Sequence, residues 1–308
     1  MRQPSAVQVD APAKINLGLE LLGKQPDGYH EIRTVMAMID LADQLLVQRT
    51  RDSDHACVTG VDLGDERNLV SVAYDTYATE TRFEGGIEVN LTKHIPIAGG
   101  LGGASSNAAA TLLCIDALTP LEQRLGRPTL MTVAASIGSD VPFFLGTPIA
   151  MATGTGTTLS PLPVLPKQQY TVLVSPAIAL PRKTATLYRA IVPSDFTDGT
   201  RTDALANLIA SGAALVFDAE VLANPFRTAW TRLGDPIAAV ERALIQAGAF
   251  WVALSGAGPT VYTLTDDRDR ADSIATRLRT ILTGNVAVNV APLRARGMEA
   301  VPLAGMHP

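Results

Sequence analysis

The chain is poor in cysteine, histidine and aromatic residues: two, four and 5% of its 308 residues. Cys57 and Cys114 are far apart and each lies in an apolar context. Two such thiols make neither a disulfide framework nor a metal knuckle, so both are read as buried structural cysteines. His30, His55, His94 and His307 are scattered, and no His-Glu-x-x-His pattern is present to hold a catalytic metal. A Gly-x-Ser-x-Gly nucleophile elbow is also missing. There is no basic excess. The net charge of −5 argues against a nucleic-acid surface but leaves room for a local basic pocket. No apolar run approaches the ~18 residues that a membrane span requires, and the first ten residues hold no apolar run of signal-peptide length. The expectation is a cytoplasmic protein with no membrane or nucleic-acid partner, monomeric or weakly dimeric.

What the chain has in quantity is glycine, 25 residues of it, with much alanine. Its length suffices for one large or two ordinary domains. Ile15, Leu17, Leu19 and Leu21 alternate with Asn16, Gly18 and Glu20, the period of a strand, and Val7 to Asp10 leads into the same sheet. Gln25-Pro-Asp-Gly28 is a turn. Strand-like segments follow at 44–49 and 86–92, with a helix over 68–79 between them. A glycine run opens an alanine-rich helix from about Ser105 to Leu118, and a second helix ends at Gly138. Pro161-Leu-Pro-Val-Leu-Pro166 reads as a linker, because alternate prolines favour extended backbone. Beyond it, strands at 170–175, 250–254, 260–264 and 286–290 mix with helices near 204–210, 236–247 and 269–282. Without strict βαβ alternation the pattern is α+β in two domains, 1–162 and 163–300, with a tail at 301–308.

Three glycine-rich segments compete as phosphate sites. Gly18-Leu-Glu-Leu-Leu-Gly23-Lys24 nearly spells a Walker A loop, but Gln25 stands where Ser or Thr is needed and the segment alternates as a strand. Pro96-Ile-Ala-Gly99-Gly100-Leu101-Gly102-Gly103-Ala104-Ser105-Ser106-Asn107 directly precedes a helix. Its glycines can turn several N–H groups into one concavity, and the helix adds its own unsatisfied N–H groups and positive dipole end. Ser105 and Ser106 can cap that helix or donate to phosphate oxygens. The third, Ser255-Gly-Ala-Gly-Pro-Thr260, joins two apolar strands and reads equally well as a plain hairpin turn.

These segments fall into one pattern. Pro12-Ala13-Lys14-Ile15-Asn16-Leu17, the run from Pro96 to Asn107, Gly138-Ser139-Asp140-Val141-Pro142-Phe143-Phe144 and Ser255 to Thr260 resemble, in order and spacing, the motifs of GHMP kinases. Asp27-Gly28-Tyr29-His30-Glu31 is similar to the more specific signature of that superfamily's cytidine-recognising branch, the 4-diphosphocytidyl-2-C-methyl-D-erythritol kinases. The resemblance implies a lobe like ribosomal protein S5 domain 2 followed by a ferredoxin-like lobe, ATP and Mg²⁺ as cofactors, and a cytidine diphosphate alcohol as the small-molecule substrate. It assigns Asp140 as catalytic base with Lys14 as its partner. Lys93 and Pro96, Ile97, Ala98, Gly99, Gly100, Leu101, Gly102, Gly103, Ala104, Ser105 and Ser106 would hold ATP. Asn16, Tyr29, His30, Thr184 and Tyr188 would hold the substrate, with the cytosine ring between Tyr29 and Tyr188 and His30 at its edge.

The chain departs from that pattern in places. Ala104 replaces a loop glycine, Thr155 and Thr157 stand where relatives often carry a base and then Glu, Asn224-Pro225-Phe226 replaces Asn-Asp-Leu, and Met36 lies where some relatives have an aromatic. Other readings are a GHMP kinase for another alcohol, of mevalonate or homoserine type, or a silent ATP-binding sensor. The Tyr29-His30 pair speaks against the first and the intact Lys14 and Asp140 against the second. Asp140 by itself has a second, less favoured reading as a helix cap before Val141-Pro142.

Overall fold

Two long strands organise the first lobe. The structure, a computed structural model, describes residues 4–26, 28–50, 54–60, 68–81, 83–213 and 222–303. Strands β1 (Ala6–Lys24) and β2 (His30–Thr50) pair antiparallel along nearly their whole length. The turn between them is closed by Gln25 N–H to the Tyr29 carbonyl at 2.7 Å and Gly28 N–H to the Gln25 carbonyl at 2.9 Å. Asp27 lies outside the described residues. Next come β3 (Ala56–Thr59), α1 (Leu69–Thr81), β4 (Gly86–Thr92), α2 (Gly103–Leu118), α3 (Gly126–Ile137), α4 (Val141–Leu145), β5 (Ile149–Gly154) and β6 (Thr158–Leu162). The far half of β2 pairs with β4 and its near half with β5, so one strand serves two branches of the sheet.

The pairing of β1 with β2 shifts register between Pro12 and Ala13, and again between Asn16 and Gly18. Such irregularities re-aim side chains, and the cores show it. Val7, Val9 and Ala11 lie in the core beneath α1 and α2, whereas Ala13, Ile15 and Leu17 lie in the core shared with the second lobe. Unbroken alternation would have kept all six on one face. Leu19 and Leu21 then enter the core of the second lobe itself. A single strand thus passes through three cores.

The second lobe contains β7 (Tyr170–Pro176), α5 (Lys183–Ala190), α6 (Thr200–Ala210), α7 (Pro225–Arg232), α8 (Ala238–Gln246), β8 (Ala253–Leu254), β9 (Val261–Thr265), α9 (Arg268–Ile281) and β10 (Val286–Pro292). Its antiparallel sheet has the order β10-β7-β9-β8. With helices between the first and second strands and between the third and fourth, this is the ferredoxin-like arrangement. The fold is α+β in two lobes, as the sequence pattern predicts. Trp230 and Leu244 anchor the helices, and full burial of such side chains contributes about 1.5–3 kcal/mol each.

Several expectations need correction. Pro161, read as linker, lies in β6 opposite Ala150. Within the sheet β6 pairs with β5 alone, and an edge strand tolerates a residue without an N–H. The strand expected over 250–254 is confined to Ala253–Leu254, and Phe250 instead lies exposed under the Arg270 guanidinium, 3.8 Å from its ring centre. Cys114 is buried as expected, but Cys57 is exposed on β3.

The chain also does not leave the first lobe at 162 for good. Arg294 N–H donates to the Met38 carbonyl at 2.9 Å, and Met298 is fully buried in the core beneath α1 and α2. Val301–Pro302, read as the start of a tail, form β11 and pair with Val7 and Gln8. Residues 304–308 of that tail lie outside the described residues. Among the described residues no helix is long and apolar enough to cross a membrane.

Met298→Ala should therefore destabilise the first lobe by about 2–5 kcal/mol, the usual cost of truncating a buried methionine. Urea denaturation followed by the lobe's own signals checks it, and an unchanged midpoint would show that residues 294–302 add nothing to that core.

Candidate active site

The register shift before Ala13 turns Lys14 and Asn16 away from the shared core and toward α2 and α4. Lys14 is 4% exposed. A buried ammonium needs partners, and it has two: Asn16 Oδ1 at 2.8 Å and Asp140 Oδ2 at 3.2 Å. Asn16 in turn donates from Nδ2 to Thr34 Oγ1 at 2.8 Å, and Thr34 donates to the Gly18 carbonyl at 2.6 Å. The Tyr262 hydroxyl, from the second lobe, donates to the Asn16 carbonyl at 2.6 Å. This chain of hydrogen bonds orients the Asn16 amide and so aims Lys14.

Asp140 immediately precedes α4, yet its side chain caps no N–H of that helix. The carboxylate faces Lys14 instead, which removes the helix-cap reading. Lys14, Asn16 and Asp140 line a cavity of about 1180 Å³ together with Tyr29, His30, Thr184 and Tyr188. The structure therefore brings every sequence-nominated substrate residue into one space.

The aromatic wall of that cavity differs from a simple pair of tyrosines. Tyr188 stacks on His30, with centroids 4.8 Å apart and planes at 26°, and meets Phe226 edge-on at 4.9 Å. Tyr29 is 63% exposed at the rim. Burial, reinforced by the nearby Lys24 charge, lowers the His30 pKa below its ordinary value, favouring the neutral ring. Burial, then the Asp140 charge, pushes the Tyr188 phenol up to about 12.

Pro96 to Ser105 line a second cavity of about 570 Å³, into which Lys93 also projects. Ala98, Gly100 and Gly102 adopt left-handed backbone, with φ of 54°, 82° and 72°. Helix α2 begins at Gly103, and no side chain caps it. Ser105 and Ser106 thus lie within its first turn and are not its caps. The orphan N–H groups of that turn remain available to an anion. Ala104 is already helical, where alanine is the most favourable residue, which explains how the loop dispenses with a glycine there. Lys93 pairs closely with Asp43, which is fully buried and also accepts from the His94 and Ile95 N–H groups at 2.8 and 2.9 Å.

Ser106 Oγ and Asn107 Oδ1 are buried and have no hydrogen-bond partner in the protein. These are hard oxygen donors, and Asn107 lines the smaller cavity. They fit Mg²⁺, which takes few protein oxygens and completes its shell with phosphate and water. Among the described residues no cluster of His, Cys, Asp and Glu could hold a metal without such help.

The third glycine segment is both the β8–β9 hairpin and a buttress of the loop. Thr260 N–H donates to the Gly99 carbonyl at 3.1 Å and Ser255 Oγ to the Gly100 carbonyl at 3.0 Å. Asn224 fastens it from the other side: Nδ2 donates to Gly256 O at 2.8 Å and Leu254 O at 3.0 Å, while Oδ1 caps α7 by accepting from Phe226 N–H at 3.0 Å. Thr155 and Met36 line the larger cavity. Sequence reasoning missed Asp43, Asn224 as a tie, and Lys183, which lines both cavities.

Comparison with known proteins agrees with this geometry. The GHMP kinases N terminal domain family matches residues 68–147, and the GHMP kinases C terminal family matches residues 222–282. Fold and site together define a two-lobed small-molecule kinase of the GHMP class. A 4-diphosphocytidyl-2-C-methyl-D-erythritol kinase of Dehalococcoides mccartyi is 36% identical over 86% of this chain and 91% of its own length. One from Solibacter usitatus is 39% identical over 84% and 81%. A crystal structure of 4-(cytidine 5'-diphospho)-2C-methyl-D-erythritol kinase superposes with a TM-score of 0.75 at 32% identity, covering 92% of this chain and 98% of that one. The chain belongs to the 4-diphosphocytidyl-2-C-methyl-D-erythritol kinase family.

A Cβ at Gly102 would lie 2.9 Å from Phe144 Cζ and 3.0 Å from Lys14 Cγ, on a left-handed backbone that costs other residues about 1–2 kcal/mol. Gly102→Ala should therefore weaken ATP binding and also lower turnover, because the new methyl presses on Lys14. Calorimetry and steady-state rates on the same folded variant check both effects; wild-type values would detach the loop from the site.

Proposed function

We propose that this protein transfers the γ-phosphoryl group of ATP to the 2-hydroxyl of 4-diphosphocytidyl-2-C-methyl-D-erythritol, in the non-mevalonate route to isoprenoid precursors. The observation that carries this reading is the meeting of two cavities. One is floored by a glycine loop and a helix N-terminus, and the other holds the buried Lys14 paired with a part-exposed Asp140 beneath an aromatic wall.

Phosphoryl transfer passes through a loose transition state, so the protein mainly positions reactants and offsets charge. Asp140 takes the proton of the attacking hydroxyl. Lys14, fixed by Asn16, neutralises oxygens of the transferring group. The backbone N–H groups of residues 98–105 hold the phosphates of ATP, with Lys93 beside them and Ser105 and Ser106 supplying hydroxyls. Mg²⁺, held through Ser106 and Asn107 oxygens, would supply charge neutralisation of the phosphates. Asn16 and Thr184 contact the sugar-alcohol end of the substrate.

The cytosine rests between Tyr29 and Tyr188. His30 now covers one face of Tyr188, so it swings from face to edge as the base arrives. There its neutral ring, one nitrogen donating and the other accepting, can read the polar edge of the base. Exchanging cytosine for uracil replaces an amino donor by a carbonyl and leaves a polar group badly paired, so the uridine analogue should be rejected strongly.

The direct test is turnover of the cytidine alcohol, its uridine analogue, mevalonate and homoserine by the purified protein. Phosphorylation of mevalonate or of the uridine compound at a comparable rate would remove the substrate assignment. Asp140→Asn should lower kcat by about 10²–10⁴-fold with little change in ATP affinity. Tyr188→Ala should raise KM for the cytidine substrate by about ten- to a hundredfold, since base–aromatic stacking is worth about 1–3 kcal/mol. KM for ATP should hardly move.

A further inference from the structure

The two cavities share a wall formed by Gly100, Gly102, Ser105, Lys183, Thr184 and Ala185. A phosphoryl group moving from the glycine loop to the acceptor has to pass this wall. Lys183 is the charged side chain in it. Lys14 and Asp140 line the acceptor side alone, and Lys93 the loop side alone.

The three lysines differ in how their charge is met. Lys14 has Asp140 and Lys93 has Asp43. Among the described residues no carboxylate reaches ion-pair distance of Lys183. Its Nζ donates to two backbone carbonyls, those of Ala98 in the loop and Gly258 in the β8–β9 hairpin. An ammonium carries three donors, so one remains. Neutral carbonyls solvate a cation without balancing its charge. Burial, and then the positive charge of Lys14, lower its pKa to about 8. An anion entering between the cavities would relieve both penalties at once.

We propose that Lys183 is the cation that receives the transferring phosphoryl group, binding the γ-phosphate of ATP through the donor it does not spend on carbonyls. This deepens the kinase reading above and rests on it, but not on the identity of the acceptor. In the step, the bond from the γ-phosphorus to the β,γ-bridging oxygen breaks and the bond from the acceptor oxygen to that phosphorus forms. The acceptor proton goes to Asp140 and ADP leaves. Lys183 stays protonated throughout and follows the equatorial oxygens from one cavity to the other.

The test compares the full-length wild type with Lys183→Met and Lys183→Arg. Calorimetric titrations with Mg²⁺ and either ADP or a non-hydrolysable triphosphate analogue come first. Lys183→Met should lose about tenfold or more in affinity for the triphosphate analogue, while ADP stays within about twofold. Its kcat should fall by about 10²–10³-fold, the range for removing one preorganised donor from a transition-state oxyanion, with KM for the acceptor alcohol little changed. Lys183→Arg, which keeps the charge, should recover most of both losses.

In the wild type, kcat/KM should fall as pH rises through about 8, because this ratio reports the free enzyme and the protonated ammonium is the active form. That limb should be absent from Lys183→Arg, whose guanidinium does not titrate there. The charged groups that line the two cavities with Lys183 are Lys14, Lys24, Asp140 and Arg189 in the larger and Lys93 and Arg182 in the smaller, and Lys14 is the one whose charge acts on its ammonium. His30 and Tyr188 titrate on either side of this window, below the ordinary histidine value and near 12. Equal loss of ADP and triphosphate affinity would reduce Lys183 to a staple between two glycine turns and overturn the proposal. So would a loss confined to KM of the acceptor, which would make the acceptor's diphosphate its ligand. A wrong acceptor assignment would leave the nucleotide comparison untouched, so the two failures are distinguishable.

Discussion

The arrangement depends on one buried charge. Lys14 sits in the middle of β1 with almost no access to water, and burying an ammonium there would cost several kcal/mol were it not compensated. The ammonium is compensated by two side chains, and the backbone of the same residue is tied to a third part of the chain. Asp140 arrives from the start of α4, and Asn16 from two residues along the same strand. Leu101 in the loop accepts from the Lys14 backbone N–H at 2.9 Å. Satisfying this lysine therefore fixes the loop, the carboxylate and the strand relative to one another. The same contacts that settle the folding problem place a base and a cation where phosphate is to be handled.

The order of strands and helices is largely legible from periodicity, and the resemblance of the motif segments implies that Lys14, Asp140 and the loop share one site. Hidden features were those carried by register and by long-range return of the chain. Simple alternation cannot reveal that Ala11 and Ala13 face different cores, because the shift at Pro12 comes from pairing with β2 and not from β1 itself. Residues 294–300 read as the end of the second lobe, and 301–302 as the start of a tail, because nothing local marks Met298 as a plug for the first. Asp43 was invisible for a similar reason. Its role follows from meeting Lys93 and two N–H groups some fifty residues away.

The departures from the family pattern become intelligible once placed. Position 224 keeps the asparagine, and its amide both caps α7 and ties down the Gly256 turn, so Pro225 costs nothing at a first helical turn. Phe226 replaces a leucine with a ring that backs Tyr188 edge-on. Threonine at 155 leaves the larger cavity without the charge that relatives often carry there.

The two lobes are joined where the chemistry is. Gly100 can approach the β8–β9 hairpin only without a side chain, since a Cβ there would lie 2.8 Å from Gly258 N. On the other side, a Cβ at Gly256 would lie 3.1 Å from the Gly100 carbonyl oxygen, on a backbone with φ of 52°. Bare backbone on both sides lets loop and hairpin interlock through Gly99, Gly100, Ser255 and Thr260. The backbone part of this contact, Thr260 N–H on the Gly99 carbonyl, is stiff because it has no rotamers to relax. A kinase gains from that stiffness: misplacing reacting groups by an ångström can cost two orders of magnitude in rate, about 10²-fold. The glycines therefore serve the site twice, by opening room for phosphate and by letting the second lobe hold the first in register.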